Sequence, residues 1–529
     1  MLREALVNST NEMKGEAHGT QPPRHIDPIG KEVSTAQRSN SLVHLINQRF
    51  IRSCLFICLT VQFLSFAVPL YAHDLPAAVK QQLQRLAIPD SALGIYVHEI
   101  GSHRPLIEVN ADTAMNPASV MKLLTTYAGL EILGPAFTWP TALYANGKLT
   151  DGILQGDLII KGYGDPKLDL ENFWLLLHHL RQTGLREIRG NLILDHLHYD
   201  IPQGDPGEFD SQPYRTYNTL PEAVLINYRT STLHFIPQPE KNAVRVVVDP
   251  LPDSLNIQNN LRLTQTACGE WQNLLSIEVI ADNAQNKPFT VVLNGSFPVL
   301  CGTQSHMLSL HDSAVYTRDL FTHLWRQQGG SFNGDVIEGS VPSALTPVKV
   351  YQSPPLSDVI RGINKFSNNI AARQLYLTLG TEGNVINNTP ATLAKSDSAV
   401  RRWLNSKRLN FPELIIENGS GLSRKEQISA RHMGQLLLTA FNSAVMPEFL
   451  SSLPIAAVDG TLKNRFTDTA TKGQAHMKTG ALTNVRALAG YVLDRKGRRI
   501  VVIFFVNHEK AAQSRPAMEA LVNWVYERP

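Results

Sequence analysis

The sequence predicts an α/β protein of the α+β type, in which an antiparallel sheet flanked by helices is interrupted by a mostly β insertion. A helical pattern and a strand hairpin lie near one end of the folded region, and a second hairpin and helix lie at the other. Because the ends of a domain often meet, we expect both to contribute to one sheet. Residues 143–334 differ, with short strands separated by glycine, asparagine and proline.

The segment before this region has the pattern of an exported protein. Residues 1–47 are polar and lack aromatic side chains, so we expect a disordered N-terminal extension. The apolar run 54–72 follows Arg49 and Arg52 and ends in a small residue, which is typical of a secretory signal peptide. Cleavage after Ala72 would export the chain, with peripheral membrane association at most. An uncleaved membrane anchor is the alternative.

Residues 73–142 and 335–529 are predicted to form one domain, which the insertion interrupts. Its expected elements are a helix over 74–86, a strand hairpin over 93–97 and 106–109, a second hairpin over 487–493 and 499–506, and a last helix that begins near Pro516. The segment 476–481 is predicted as a strand beside the second hairpin. This places it at an edge of the sheet.

The predicted insertion, of one or two small domains, contains strand patterns over 158–161, 244–248 and 289–293. The chain has four cysteines, and removal of the signal peptide would leave two of them. These two, Cys268 and Cys301, both lie in the insertion. In an exported protein such a pair usually forms a disulfide, and two buried free thiols are the alternative.

Charge and motifs exclude several classes of function. A formal net charge of +3 over 529 residues is nearly balanced and no basic run occurs, so we expect no nucleic-acid partner. The sequence has no His-Glu-x-x-His motif and no clustered cysteine pair, so we expect no metal and no cofactor. The Gly-x-Ser-x-Gly elbow of many triad hydrolases does not occur either.

A candidate catalytic serine lies in the run Ser119-Val-Met-Lys122, just before an apolar helical pattern. A lysine one turn after a serine at a helix start places its amine against the hydroxyl that it could deprotonate. The amine must be uncharged to act as a base, and burial beside a second cation lowers its pKa. Lys478, in the run Lys478-Thr-Gly480, is the expected second cation.

The run Ser367-Asn-Asn369 supplies two further candidates. Ser367 would relay a proton to the leaving nitrogen and so complete general acid–base catalysis. Asn369 would hold the substrate amide and keep Lys122 in place.

The run from Lys478 to Gly480 supplies the expected substrate-binding strand. Lys478 and Thr479 would bind a free carboxylate, because an ammonium and a hydroxyl suit that group. The backbone N–H of Ala481, which follows Gly480, would stabilise the oxyanion together with the backbone N–H of Ser119.

These motifs resemble those of the D-alanyl-D-alanine carboxypeptidase/endopeptidase family, the class C penicillin-binding proteins of the penicillin-binding protein 4 type. Asn116-Pro-Ala-Ser-Val-Met-Lys122 is similar to the nucleophile motif, and the resemblance covers nearly the whole mature chain. Further similar signatures are Gly164-Asp-Pro166, Tyr217-Asn218 to Phe235, Glu417-Asn-Gly-Ser-Gly-Leu-Ser423 and Asp459-Gly-Thr-Leu462. The resemblance implies a β-lactamase/transpeptidase-like acyl-transferase domain with a five-stranded antiparallel sheet, interrupted by extra domains between Ser119 and Ser367.

The resemblance also implies a periplasmic serine carboxypeptidase and DD-endopeptidase that cleaves peptidoglycan stem peptides and cross-links through an acyl-serine. β-Lactam antibiotics would inhibit it covalently. The chain departs from related patterns at Asn368, where β-lactamases have aspartate, and at Ala481, where many family members have a hydroxyl. A β-lactamase, which would need a base for rapid deacylation, and a non-hydrolytic peptidoglycan-binding or sensor module remain the alternatives.

Overall fold

The computed structural model describes residues 75–280, 289–310, 312–381, 383 and 389–528. The predicted N-terminal extension and signal peptide, residues 1–72, lie outside this range. Within it, no helix combines the length and the apolar composition that crossing a bilayer requires.

The helices of the described residues, α1 to α10, are Ala77–Arg85, Lys122–Ile132, Leu170–Gln182, Ser313–Gln327, Leu356–Phe366, Asn369–Leu379, Leu393–Ser406, Ala430–Phe441, Met446–Ser452 and Arg515–Glu527. The strands, β1 to β21, are Leu93–Glu99, Ile107–Val109, Ala114–Met115, Pro140–Thr150, Ile153–Gly162, Glu187–Ile188, Leu192–Asp195, Thr230–Gln238, Ala243–Asp249, Leu255–Asn259, Arg262–Thr264, Leu275–Ile280, Phe289–Pro298, Gln304–Ser309, Ser331–Phe332, Val336–Glu338, Lys349–Gln352, Ile428–Ser429, Ala475–Leu482, Val485–Leu493 and Arg499–Asn507.

The two ends of the described chain build one five-stranded sheet. Its order is β19-β20-β21-β1-β2, and every neighbouring pair is antiparallel. The predicted α+β class, the antiparallel five-stranded sheet and both terminal hairpins are confirmed. Strand β19 lies at one edge, where the sequence placed residues 476–481.

The central strand β21 explains why this sheet holds the domain together. Val502 and Phe504 point to one side, where they share a core with α1 and α10. Ile503 and Phe505 point to the other side, into a core that includes α2, α5, α6 and α8. A strand buried on both faces requires a continuous apolar run rather than an alternating one. Each fully buried side chain of this size stabilises the fold by about 1.5–3 kcal/mol.

The inserted region divides into two parts, and the first is a mixed α/β layer. Its seven-stranded sheet has the order β15-β6-β5-β4-β17, with β7 beside β5 and β16 beside β7. Helices α3 and α4 pack on this sheet, and neither helix is among the predicted elements. The first strand of the sheet, β4, begins at Pro140, and its last strand, β17, ends at Gln352. The sheet therefore extends beyond the predicted insertion boundaries at 143 and 334.

The second part of the insertion is all β apart from short turns. Sheets β14-β8-β9 and β10-β13-β11, the latter extended by β12, enclose one aromatic core. In it, the ring centroid of Trp271 lies 5.6 Å from those of both Phe235 and Phe297. Cys268 and Cys301 form a disulfide against this core, with their Cα atoms 4.7 Å apart.

Candidate active site

Ser119 lies on a short 3₁₀ turn, Ala118–Met121, which leads directly into α2 at Lys122. Two reciprocal hydrogen bonds fix the approach to this turn. The backbone N–H of Asn116 donates to Asn507 Oδ1 at 2.9 Å, and Asn507 Nδ2 donates to the Asn116 carbonyl at 3.0 Å. The end of β21 therefore positions the serine, whose side chain is partly exposed.

A glycine-containing loop packs against the same turn from the other side. A Cβ atom on Gly421 would lie only 2.0 Å from the Ala118 carbonyl oxygen and 2.7 Å from the Ser119 nitrogen. Gly421 also has a φ of 79°, which disfavours other residues. This close approach explains the second glycine of the Gly-Ser-Gly segment within the signature from Glu417 to Ser423.

Lys122 is 0% exposed, and its Nζ is surrounded by oxygen atoms from three segments. The Nζ atom lies 3.0 Å from Ser119 Oγ and 2.6 Å from Asn369 Oδ1, and it donates a short hydrogen bond to the Ser420 carbonyl. Burial lowers the pKa of Lys122 well below its ordinary value, and the positive charge of Lys478 lowers it further. In the neutral amine two N–H groups satisfy the amide and carbonyl oxygens, so the lone pair is directed at the Ser119 hydroxyl.

Lys478 occupies β19 and is also 0% exposed. Burial lowers its pKa to about 7. Its Nζ donates to Ser367 Oγ at 2.9 Å and to the Thr479 carbonyl at 2.8 Å. Ser367 follows α5 in a left-handed conformation with a φ of 59°, which is uncommon for a residue other than glycine. This turn directs the Ser367 hydroxyl to the lysine.

Asn369 is the first residue of α6 and connects the site with the insertion. Its Oδ1 accepts from Lys122, while its Nδ2 donates to the Tyr217 carbonyl at 3.4 Å. The insertion therefore contributes a backbone group to the rim of the site.

The edge strand β19 forms one wall of the cleft. A Cβ atom on Gly480 would lie 2.6 Å from the Pro117 carbonyl oxygen, so only glycine lets this strand approach the Ser119 turn so closely. The Thr479 hydroxyl donates to Thr461 Oγ1 at 2.9 Å, which joins the strand to the signature that begins at Asp459. Ala481 is exposed on the same strand.

The structure thus brings eight of the sequence-predicted residues to one cleft: Ser119, Lys122, Ser367, Asn369, Lys478, Thr479, Gly480 and Ala481. The predicted cysteine pair lies instead in the aromatic core of the insertion. No three His, Cys, Asp or Glu side chains of the described residues are grouped to hold a metal ion.

Sequence reasoning missed the buried carboxylate of Glu426. Its Oε1 accepts the backbone N–H groups of residues 417–419 at 2.9–3.1 Å and so shapes the loop that carries the Ser420 carbonyl. Burial raises the pKa of Glu426, although these three N–H donors and the charge of Lys122 oppose the shift. No motif contains Glu426, and the loop signature beside it was the only signal in the sequence.

Comparisons with known proteins agree with this architecture. Residues 75–528 match the D-Ala-D-Ala carboxypeptidase 3 (S13) family. D-alanyl-D-alanine carboxypeptidase DacB of Haemophilus influenzae is 26% identical over 455 residues, which cover 84% of this chain and 90% of that protein. The crystal structure of penicillin-binding protein 4 from H. influenzae has a TM-score of 0.68 at 24% identity, with 85% of this chain and 99% of that chain covered. A second structure of it, complexed with a β-lactam, has a TM-score of 0.65 at 24% identity, with 85% and 100% covered.

Proposed function

Because the chain belongs to the D-Ala-D-Ala carboxypeptidase 3 (S13) family and is thus a serine peptidase, we propose that it is a periplasmic D-alanyl-D-alanine carboxypeptidase and DD-endopeptidase. Its substrates are the stem peptides and cross-links of peptidoglycan. The observation that carries the proposal is the buried amine of Lys122, 3.0 Å from the Ser119 hydroxyl oxygen. A desolvated lysine of lowered pKa is suited to deprotonate a serine.

Acylation begins when Ser119 Oγ attacks the carbonyl carbon of the penultimate D-alanine. The hydroxyl proton passes to the neutral Nζ of Lys122 as the Oγ–C bond forms. The backbone N–H groups of Ser119 and Ala481 stabilise the negative charge on the carbonyl oxygen. The C–N bond then breaks, and the proton that Lys122 accepted passes through the Ser367 hydroxyl to the leaving nitrogen, so that Lys122 is neutral again.

Lys478 and Thr479 bind the terminal carboxylate of the substrate. Burial lowers the pKa of Lys478 to about 7 and so disfavours its charged form in the free enzyme. An adjacent carboxylate favours the charged form, so substrate binding completes the ion pair. Ala481 offers no hydroxyl, so Thr479 is the hydroxyl donor of the strand from Lys478 to Ala481. On substrate binding its O–H turns from Thr461 Oγ1 to the carboxylate.

Water then attacks the acyl-serine and releases the shortened peptide. The same acyl transfer opens a cross-link when the leaving amine belongs to a neighbouring stem peptide. A β-lactam acylates Ser119 by the same route but does not release a departing amine, because its nitrogen stays tethered in the opened ring. The β-lactam complex of the H. influenzae protein with the same fold supports this expectation.

Mass spectrometry of the protein treated with benzylpenicillin tests the proposal. We expect one adduct, on Ser119, that is absent from Ser119→Ala and retained in Ser451→Ala, which changes an exposed serine on α9. The protein should release D-alanine from a pentapeptide and cleave a cross-linked muropeptide. An adduct on another residue would refute the assignment of Ser119. Rapid turnover of the adduct would indicate a β-lactamase. A stable adduct on a protein that neither releases D-alanine nor cleaves the muropeptide would indicate a non-hydrolytic module.

A further inference from the structure

A cavity of about 330 Å³ lies in the inserted region, apart from the catalytic serine. The loop over residues 211–215 forms one wall, and residues of β12 and β14 form the others. Trp271 and Leu308 are buried at its base, and Ile277 contributes an apolar wall. This volume is at the lower end of small-molecule sites, which suits an amino acid or a short peptide better than a sugar polymer.

The polar side of the cavity is cationic. Arg215 Nε donates to Gln212 Oε1 at 3.2 Å, and Arg215 Nη1 lies 3.2 Å from His306 Nε2. Burial lowers the pKa of His306, and the charge of Arg215 lowers it further, so the imidazole is neutral at neutral pH. Its Nε2 therefore accepts from the guanidinium, and its Nδ1 carries the proton.

The charge of Arg215 is not compensated by this arrangement. Both hydrogen-bond partners are neutral, and no ion pair joins Arg215 to a carboxylate within the described ranges of the chain. A guanidinium stays charged at any physiological pH and presents N–H groups in a planar fork that matches a carboxylate. The cavity thus combines an anion-binding group with an apolar, aromatic base.

The residues that follow this loop connect the cavity to the catalytic site. Tyr217 follows Arg215 by two residues, which limits their Cα separation to about 7 Å. The Tyr217 carbonyl accepts from Asn369, and its hydroxyl donates to Asp210 at 2.8 Å. The loop therefore lies between the cavity and the rim of the cleft.

We propose that this cavity is a second binding site for a free carboxylate attached to a small apolar group. The guanidinium of Arg215 holds the carboxylate, and the apolar part contacts Trp271 and Ile277. The inference rests on the proposed function, which supplies two ligands of this chemistry. One is the end of a neighbouring stem peptide, and the other is the D-alanine that the reaction releases.

The test uses the full chain acylated at Ser119 by benzylpenicillin, so that the catalytic site is blocked. Isothermal titration calorimetry then measures binding of D-alanine in one arm and of a stem tetrapeptide in the other. We expect one remaining site, with affinity reduced about tenfold or more in Arg215→Gln, because a charge-assisted hydrogen bond is lost. Ile277→Trp should abolish binding by filling the cavity. Arg245→Gln, at an exposed position of β9, should not change it.

Each outcome decides between the possibilities. Binding of the tetrapeptide alone assigns the site to a neighbouring strand, and binding of D-alanine alone assigns it to the product. Binding of neither ligand, or equal binding by Arg215→Gln and the unchanged protein, overturns the inference. Circular dichroism melts identify variants that fail to fold. If no penicillin adduct forms, the proposed function is refuted. The cavity is then tested by the same titrations on the unmodified protein, in which Arg215→Gln should still remove one class of binding site.

Discussion

The catalytic cleft and the inserted cavity place their cations in opposite surroundings. In the cleft, Lys122 and Lys478 are fully buried, and their pKa values are lowered. In the cavity, Arg215 is partly exposed, and it carries a guanidinium group, which does not exchange protons at physiological pH. A buried lysine is suited to exchange a proton, whereas an arginine at the edge of a cavity is suited only to bind an anion. In the cleft, Lys122 is assigned to proton transfer and Lys478 to the substrate carboxylate, whereas Arg215 in the cavity is assigned to recognition alone.

The two regions also differ in how they are assembled. The cleft depends on convergence, because Lys122 contacts side-chain or backbone oxygens at Ser119, Asn369 and Ser420. The second part of the insertion depends on its own aromatic core and a disulfide. We therefore expect changes in the cleft to alter catalysis strongly and changes in that part of the insertion to alter stability instead.

The largest effect is expected for Lys122→Met, which keeps an unbranched side chain only one atom shorter and removes the base. Acylation by benzylpenicillin should slow by about 10²–10⁴-fold, the usual contribution of a general base. In the unchanged protein, acylation should slow as the pH falls, because protonation of Lys122 removes its lone pair. Quenched-flow mass spectrometry from pH 5 to 9 measures both effects.

Lys472→Met is the matched control, since Lys472 is exposed and lies outside the cleft. It should keep the rate and the pH dependence of the unchanged protein. If Lys122→Met kept the loss of rate at low pH, a different group would be the base, and the contrast between the two regions would lose its chemical basis.

A smaller effect, a shift of the pH dependence of acylation toward lower pH, is expected for Glu426→Gln. The amide oxygen of glutamine can still accept the backbone N–H groups of residues 417–419, so the loop should persist. The negative charge of Glu426 raises the pKa of Lys122, and its removal lowers that pKa further. Acylation should therefore reach half its maximal rate at a lower pH, with a change of less than about tenfold at neutrality.

The comparison for this variant is Glu448→Gln, at a partly exposed position of α9 outside the cleft. Rates of penicillin acylation across the same pH range should be unchanged in that control. A shift toward higher pH in Glu426→Gln would mean that the loop has moved and that the charge of Glu426 is not its main contribution.

Much of the catalytic domain could be predicted because its sequence signals reflect direct physical requirements. The continuous apolar run of β21 follows from burial on both faces of the sheet. Ser119 and Lys122 are recognisable because one helical turn fixes their separation. Gly480 is recognisable because its strand packs against the carbonyl of Pro117. The roles of these residues stay predictions until the variants are measured.

Other features left no such signal. The carbonyls of Ser420 and Tyr217 take part through the backbone, and a backbone carbonyl has the same chemistry at every residue. Glu426 is buried, yet in the sequence it looks like any surface glutamate. Helix α3 does carry apolar residues at helical spacing, including Phe173, Leu176 and Leu180, but it is a single helical pattern among many short strand patterns.

The smallest effect on catalysis is expected for the double variant Cys268→Ser, Cys301→Ser. The disulfide closes a separation of 33 residues, and the chain-entropy relation gives its loss a cost of about 3.7 kcal/mol in free energy of unfolding. Since the bond lies against the aromatic core of the insertion, urea unfolding should shift while the rate of penicillin acylation stays within about twofold. A large loss of acylation at temperatures where the variant is folded would show that this core supports the Tyr217 carbonyl beside Asn369. The cleft and the insertion would then act as one unit.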